Sequence, residues 1–225
     1  MQILTTHPTT RAAFWMGGAL LSLVAMALAA RHLSATLSVF QILFFRSLLG
    51  LLIVSALLCR SGWSQVKAPD GRAHLIRNVS HFAGQYGWIY GIAMIPMAQV
   101  FAIEFTVPVW TALLAAVILG ERMTTARWAS VVLGLAGVFI IVRPDTGSVD
   151  PASLAVLLGS MAFALCYIMT KKMAATTTPL CVLFYMTLIQ LLLGVVPAAL
   201  NWTTPGIALL PATMVSFGLD KISVG

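Results

Sequence analysis

Two ionisable side chains lie inside long apolar stretches of the sequence, where a charge is expensive. Arg46 is about nine residues into the stretch 37–58, and Glu104 is about eight residues into the stretch 97–119. If both stretches are spanning helices, a rise of about 1.5 Å per residue places both residues roughly 12 Å below the same membrane boundary. An unpaired charge near the centre of such a helix costs about 2.5–3.5 kcal/mol on insertion scales.

Ionisable residues at this depth usually face a partner or an aqueous cavity. Arg46 and Glu104 are therefore candidates for a substrate pathway or a proton-coupling pair, and their matched depth predicts that they contact each other. Two simpler interpretations stay open. The pair could only lock two helices together, or Arg46 could extend its guanidinium to the membrane surface.

Pro108 follows Glu104 by four residues. At this spacing the proline ring removes the helical hydrogen bond to the Glu104 carbonyl. The pattern predicts a kink, and we assign Pro108 as a hinge beside the carboxylate. Membrane helices also tolerate proline without functional consequence, and that is the alternative.

A polar face marks the stretch 74–94. His81 and Gln85 are four residues apart and share one face of a helix. A polar face in lipid turns inward, where it lines a cavity or hydrogen-bonds a neighbouring helix. His74 is on the same face but near the inner end of the stretch, where we expect it to be solvated.

Weaker candidates of the same type lie on other stretches: Gln41, Gln99, Tyr167, Tyr185 and Gln190. The predicted substrate pathway consists of Arg46, His81, Gln85, Gln99, Glu104 and Tyr167.

The residue patterns of common enzymes are missing from the sequence. It has no Walker-type phosphate loop, no GxSxG elbow and no HExxH helix, so we assign no catalytic residue. The three cysteines are not spaced as metal ligands or disulfide partners, and we predict neither a metal site nor a cofactor. The net charge of +7 is spread in ones and twos between apolar stretches, which argues against nucleic acid.

The composition is that of a chain built for lipid. Hydrophobic residues make up 60% of the 225 residues and charged residues 8%, against roughly a quarter charged in soluble domains. A bilayer-crossing helix needs about twenty mainly apolar residues, and seven stretches qualify: 12–30, 37–58, 74–94, 97–119, 126–142, 152–170 and 180–200. An eighth runs from Ile207 to about Leu219. The predicted fold class is all-α, a polytopic transmembrane helical bundle.

Lysine and arginine orient this bundle. With the N-terminus inside, two basic residues, Arg31 and Arg143, fall outside and nine fall inside. The inner nine are Arg11, Arg60, Lys67, Arg72, Arg77, Arg122, Arg127, Lys171 and Lys172. Cytoplasmic loops are enriched in basic residues, so we predict a multi-pass protein of the cell (inner) membrane with a cytoplasmic N-terminus.

A faint internal repeat divides the chain. A shift of 141 residues places Gly18 on Gly159, Thr36 on Thr177 and Phe44 on Tyr185. The first copy begins inside and the second outside, so the two have opposite orientations. Inverted repeats are typical of secondary transporters, whose substrate sites lie near the midplane between the repeats.

Several short segments resemble a known membrane-protein unit. The segments Phe44-Phe45-Arg46-Ser47, Tyr90–Pro96 and Gly120-Glu121-Arg122, followed by Trp128 and Gly134–Gly137, are similar to the EamA unit of the drug/metabolite transporter superfamily. The resemblance covers essentially the whole chain and is strongest over 36–142. It implies two units of five helices each, arranged as inverted repeats around a central cavity.

By this resemblance, residues 12–142 form the first EamA unit and residues 152–225 an incomplete second unit. About seven to eight spans are present of an expected ten or so, and the chain looks truncated at its C-terminus. The implied function is secondary transport of small organic metabolites or drugs, including amino-acid or nucleotide-related solutes such as S-adenosylmethionine. The alternative is a truncated, non-transporting membrane protein or scaffold subunit. Expected partners are a small-molecule substrate and the lipid bilayer, with a homodimer left open.

Overall fold

The computed structural model describes residues 8–66, 70–142 and 150–200. The helices are α1 (Pro8–Leu33), α2 (Val39–Ser61), α3 (Gly71–Met94), α4 (Met97–Glu104), α5 (Val107–Leu119), α6 (Thr125–Val142), α7 (Pro151–Met173) and α8 (Pro179–Leu200), with one 3-10 turn at Trp63–Gln65. No β-strand occurs in these ranges, and the all-α prediction is confirmed. The predicted eighth stretch, from Ile207, lies outside the described residues.

Helices occupy all seven of the other predicted spans. Five segments are long and apolar enough to cross a bilayer: Ala12–Leu33, Val39–Ser61, Met97–Leu119, Pro151–Met173 and Pro179–Leu200. The apolar part of α6, Thr125–Ile140, is shorter. α3 has 24 residues and is long enough, but its polar face makes it less apolar than the other long helices.

The span predicted over 97–119 is broken into two helices. α4 ends at Glu104 and α5 begins at Val107. Between them the Thr106 N–H donates to the Ile103 carbonyl at 3.0 Å, a tighter turn than the α-helical one. Pro108 lies in the first turn of α5, where proline is well tolerated. The predicted kink therefore takes the form of a two-residue interruption, in which Phe105 and Thr106 keep right-handed helical dihedral angles. A hinge role for Pro108 stays a prediction.

Local sequence explains where several helices begin. Ser38 and Gln41 form a reciprocal capping box at the start of α2, with hydrogen bonds of 3.3 and 2.9 Å. Asp70 accepts the Ala73 N–H at 3.0 Å before α3. Asp150 accepts the Ser153 N–H at 2.9 Å before α7. Such caps satisfy backbone donors that a helix leaves unpaired.

The connection between α1 and α2 recurs between α7 and α8. Thr36 N–H donates to the Leu33 carbonyl at 3.0 Å, and Thr176 N–H donates to the Met173 carbonyl at 3.0 Å. The next helix is capped by a hydroxyl in both connections, Ser38 at 3.3 Å and Thr178 at 3.2 Å.

Both the turn and the cap repeat at a spacing of 140 residues, as the shift from Thr36 to Thr176 shows. The shift of 141 predicted from sequence is therefore wrong by one residue. A few matching side chains on two apolar helices do not define a register, whereas the hydrogen bonds of a turn do. The corrected register places Phe44 on Phe184.

Helices from the two halves of the chain pack closely, α3 against α7 and α2 against α8. A Cβ added to Gly87 of α3 would lie 2.3 Å from the Ala155 carbonyl oxygen of α7. A Cβ added to Gly159 would lie 3.1 Å from the Gly84 carbonyl oxygen. Small residues permit such backbone approach in membrane helices. By contrast, a Cβ at Gly18 of α1 would meet nothing within 4 Å.

Candidate functional site

A cavity of about 540 Å³ lies between α1, α2, α3 and α8. Apolar side chains form most of its wall, including Met26, Ile53, Trp88 and Met186. Its polar lining consists of Arg46, Ser47, Gln85, Thr187 and Gln190. Arg46 is the one charged side chain that lines it among the described residues.

A chain of polar side chains leads away from Arg46. With the Gln85 amide oxygen facing Arg46, both terminal guanidinium nitrogens donate to it, Nη2 at 3.1 Å, and the Gln85 amide nitrogen donates to Gln190 Oε1 at 3.2 Å. Gln190 Nε2 lies 2.5 Å from His81 Nδ1. Because an amide nitrogen only donates, His81 Nδ1 accepts this hydrogen bond.

These contacts join α2, α3 and α8 through buried groups, since Gln85 is 4% exposed and Gln190 is 3% exposed. The sequence indicated Gln190 only as one of several weaker polar candidates. Its spacing from other polar residues in 180–200 gives no sign that it bridges Gln85 and His81. That role depends on α8 packing against the first half of the chain.

Within the described residues, no carboxylate neutralises the Arg46 guanidinium. A guanidinium has five N–H donors, and Gln85 Oε1 is the acceptor that the described residues offer it. No Asp or Glu belongs to the described lining of the cavity. Arg46 thus presents unused donors and a positive charge to a mostly apolar cavity.

Glu104 does not contact Arg46, so the predicted direct pairing is wrong. Its Oε2 accepts a hydrogen bond from Trp88 Nε1 at 2.7 Å. The carboxylate lies beside Gly84, Gly159 and Phe163 in a gap too narrow for water. Equal depth in two helices says nothing about the direction in which each side chain points, and that is why the pairing failed.

Trp88 connects the two predicted residues indirectly. Its ring lines the cavity that contains Arg46, while its indole N–H binds Glu104. Glu104 therefore lies one side chain behind the cavity wall.

Gln99 and Tyr167 lie away from this cavity. Gln99 Nε2 donates to Ser153 Oγ at 2.9 Å, between α4 and the start of α7. Tyr167 lines a separate cavity of about 420 Å³ between α5 and α7, together with Pro108. Of the predicted pathway residues, Arg46 and Gln85 line the cavity, and His81 is joined to them through Gln190. Gln99, Glu104 and Tyr167 do not line it.

An ion triad joins the end of α7 to the connection between α5 and α6. Gly120 ends α5 in the left-handed conformation that glycine favours, with φ of 67°. The following Glu121 accepts from Lys171 at 2.5 Å and from Arg127 at 3.0 Å. These hydrogen bonds, that of Lys171 first, hold the pKa of the Glu121 carboxyl below its usual value.

His74 was expected to be solvated, and the structure shows that it is buried. It is 1% exposed, and its ring centroid lies 4.7 Å from that of Tyr185. Neither of its ring nitrogens has a hydrogen-bond partner among the residues that the structure describes. The expectation failed because α7 and α8 cover the beginning of α3, which position along one helix does not reveal.

Residues 10–143 match the EamA-like transporter family. The chain belongs to this family. Membership in the EamA-like family, together with the five apolar segments of bilayer length, makes the chain a multi-pass membrane protein.

Several curated relatives are similar to this EamA-family chain. An S-adenosylmethionine uptake transporter of Rickettsia prowazekii is 28% identical over 78% of this chain and 60% of its own length. A riboflavin transporter of Brucella anthropi is 30% identical over 75% of this chain and 58% of its own. A pseudopaline exporter of Pseudomonas aeruginosa is 28% identical over 84% of this chain and 64% of its own. These relatives are named as transporters and not as enzymes, which agrees with the absence of a predicted catalytic residue.

The chain spans about 60% of the length of the Rickettsia prowazekii relative. A crystal structure with 18% sequence identity shares the fold over 80% of this chain and 63% of its own, with a TM-score of 0.55.

Proposed function

We propose that this EamA-family protein is a secondary transporter of small organic metabolites, and that the cavity between α1, α2, α3 and α8 is its substrate site. The observation that carries the proposal is the Arg46 guanidinium, which Gln85 orients and which no carboxylate in the described part of the chain neutralises. The cavity of about 540 Å³ is within the range of about 300–1,000 Å³ that small-molecule sites occupy.

The chemistry of the cavity favours a solute with an anionic group on an apolar or aromatic body. A guanidinium binds carboxylate and phosphate oxygens in a two-pronged arrangement. Trp88 and the aliphatic wall suit a flat or aliphatic remainder. Amino-acid and nucleotide-related solutes meet both requirements, and S-adenosylmethionine, which carries a carboxylate and an adenine ring, is the probe we choose.

We further propose that residues 12–142 and 152–225 belong to two inverted units. The turn and cap that recur at a spacing of 140 residues support a common local structure for α1–α2 and α7–α8. Four membrane crossings, α2, α3, α4–α5 and α6, lie between α1 and α7, so α7 crosses in the direction opposite to α1. The substrate cavity includes α8 as well as α1 to α3, which is the placement between repeats that secondary transporters use.

The broken helix α4–α5 supports the same function. Discontinuous helices in secondary transporters expose backbone groups near the substrate site. Here the break at Phe105 and Thr106 follows Glu104 directly, and Trp88 links Glu104 to the cavity wall. A change in the angle between α4 and α5 would thus move the wall of the substrate site.

The test is uptake of radiolabelled S-adenosylmethionine by liposomes that contain the purified protein. Competition with decarboxylated S-adenosylmethionine isolates the carboxylate, because the two compounds differ only in that group. We expect saturable uptake, competition by unlabelled S-adenosylmethionine, and at least about tenfold weaker competition by the decarboxylated analogue, equivalent to about 1.4 kcal/mol.

Arg46→Gln should raise KM for uptake and abolish the preference for the carboxylate. Arg60→Gln is the matched control, since Arg60 is exposed at the opposite end of α2. Uptake of neither S-adenosylmethionine nor any other solute in a panel of amino acids, nucleosides and flavins would contradict the proposal and favour a scaffold role. Equal competition by the two analogues would refute the role of Arg46.

A further inference from the structure

A second polar cluster lies in the first half of α3, before His81 in the sequence. It consists of His74, Arg77 and Asn78, which are 1%, 7% and 0% exposed. Arg77 Nε donates to Thr170 Oγ1 of α7 at 2.9 Å, and Arg77 Nη1 donates to Asn78 Oδ1 at 2.6 Å. The cluster is thus enclosed between α3 and α7, and the ring of Tyr185 of α8 lies beside His74, tilted by 46°.

Several polar atoms of this cluster lack hydrogen-bond partners. Within the described residues, Asn78 Nδ2 and both ring nitrogens of His74 have no partner, so at least two N–H donors, one of them on the imidazole, have no acceptor. Arg77 has no ion pair with any carboxylate in the part of the chain that the structure describes. The Thr170 hydroxyl oxygen accepts from Arg77 Nε, and its hydrogen is donated to the Cys166 carbonyl at 2.8 Å. Buried polar groups are normally paired, and a buried charge normally has a counter-charge.

We propose that His74, Arg77 and Asn78 form a second site for the carboxylate or phosphate of the transported solute, closed in this conformation. An oxyanion supplies acceptors for Asn78 Nδ2, for the protonated ring nitrogen of His74 and for the Arg77 donors that Thr170 and Asn78 do not take. It also supplies the charge that Arg77 is missing. This inference rests on the proposed transport function, and it adds a second anion position that the solute occupies after leaving Arg46.

The position of the cluster along α3 supports such a path. His74, Asn78, His81 and Gln85 are three or four residues apart in turn, so they form one stripe along the helix. Gln85 contacts Arg46 at the cavity, and Arg77 is eight residues earlier in the sequence, roughly 12 Å along the axis. The stripe therefore joins the cavity to the beginning of α3.

Histidine NMR tests the second site without requiring transport. The full chain has four histidines, and ring-labelled [13C]histidine in detergent-solubilised protein gives one signal for each. The His74 signal is assigned by its loss in His74→Asn. Sodium formate is the carboxylate probe in one titration, and inorganic phosphate is the probe in the other.

We expect the His74 signal to shift saturably with at least one probe, while the exposed His32 shows no saturable shift. Arg77→Gln should abolish the shift of His74. Arg46→Gln should preserve it, since Arg46 belongs to the other cavity. A response to formate alone indicates a carboxylate site, and a response to phosphate alone indicates a phosphate site.

Asn78→Asp provides a variant that is expected to fold at least as well as the natural protein. It places a carboxylate where Asn78 Oδ1 now accepts from Arg77 at 2.6 Å. Because the new carboxylate neutralises Arg77, neither anion should shift the His74 signal, and the unfolding temperature of the variant should rise. A fall in unfolding temperature, or an anion response that persists in this variant, would overturn the proposal.

Absence of a saturable His74 shift in the natural protein would also overturn it, as would a shift that survives Arg77→Gln. Failure of the transport proposal gives a different pattern. In that case no solute is taken up into liposomes, whatever the His74 signal does. If uptake is unchanged in Arg77→Gln and neither anion shifts the His74 signal, the second site is refuted while the transport proposal stands.

Discussion

The close contact between α3 and α7 predicts a specific cost for one methyl group. A Cβ at Gly87 would lie 2.3 Å from the Ala155 carbonyl oxygen, 3.1 Å from the Ala155 carbonyl carbon and 3.3 Å from Gly159 Cα. Ordinary carbon–oxygen contacts are about 3.3 Å or longer, so relief requires a displacement of roughly 1 Å. All three neighbouring atoms are backbone, and α7 itself must move.

The size of the effect follows from two opposing contributions. An extra methyl in a well-packed region costs about 1–3 kcal/mol, and a clash with backbone belongs at the upper end of this range. Alanine is favoured over glycine in a helix by about 0.8–1.0 kcal/mol. Gly87→Ala should therefore lower the free energy of unfolding by about 1–2 kcal/mol.

Gly18→Ala is the matched control. Gly18 is also within a helix, but a Cβ there would meet nothing within 4 Å. This variant should be unchanged in stability or more stable by up to about 1 kcal/mol. Equilibrium unfolding in mixed detergent micelles, followed by tryptophan fluorescence, measures both. Equal stability of Gly87→Ala and Gly18→Ala would refute the close packing of α3 on α7.

Three further predictions concern charge, topology and coupling. Lys171 and Arg127 hold the pKa of the Glu121 carboxyl below its ordinary value. The ion pairs of Glu121 therefore stabilise the fold above the unfolded-state pKa, and this stabilisation is lost as pH falls through the folded-state pKa. Glu121→Gln should thus unfold at a lower temperature than the natural protein at neutral pH, and the difference should vanish in acid. A persistent difference in acid would contradict this reasoning. For topology, a membrane-impermeant thiol reagent applied to intact cells should label Gly147→Cys. The exposed native Cys59 should react only after permeabilisation. The reverse labelling pattern would show that the predicted orientation is inverted. If transport is proton-coupled, Glu104→Gln should abolish accumulation driven by a pH gradient while counterflow exchange persists, and full gradient-driven uptake by this variant would make the carboxyl structural.

The helical architecture could be predicted from sequence because lipid imposes a minimum apolar length on each span. Sequence also indicated a disturbance near Pro108, since proline lacks the N–H that a continuous helix requires. The form of that disturbance, a break at Phe105 and Thr106, depends on contacts from another helix. Thr106 Oγ1 lies 2.9 Å from Ser160 Oγ of α7, and nothing in the stretch 97–119 reveals this neighbour.

The candidate site could be predicted only in part. Polarity inside apolar stretches identified Arg46, Gln85 and His81, because such residues in lipid need a partner. It did not identify which partner, and it paired Arg46 with Glu104 on depth alone. The connection from Gln85 to His81 runs through Gln190, on a helix more than a hundred residues later in the chain. Such contacts depend on the rotation of each helix about its axis, which a single sequence does not specify.

The most direct test of the central claim is a comparison of Arg46→Gln with Arg46→Lys in liposome uptake of S-adenosylmethionine. Among the described residues, Arg46 is the charged side chain that lines the proposed substrate cavity, and it donates hydrogen bonds to Gln85. We predict that Arg46→Gln raises KM by at least about tenfold. Arg46→Lys should recover part of the loss, because lysine keeps the charge without the two-pronged geometry. Unchanged uptake kinetics in Arg46→Gln would contradict the assignment of this cavity as the substrate site.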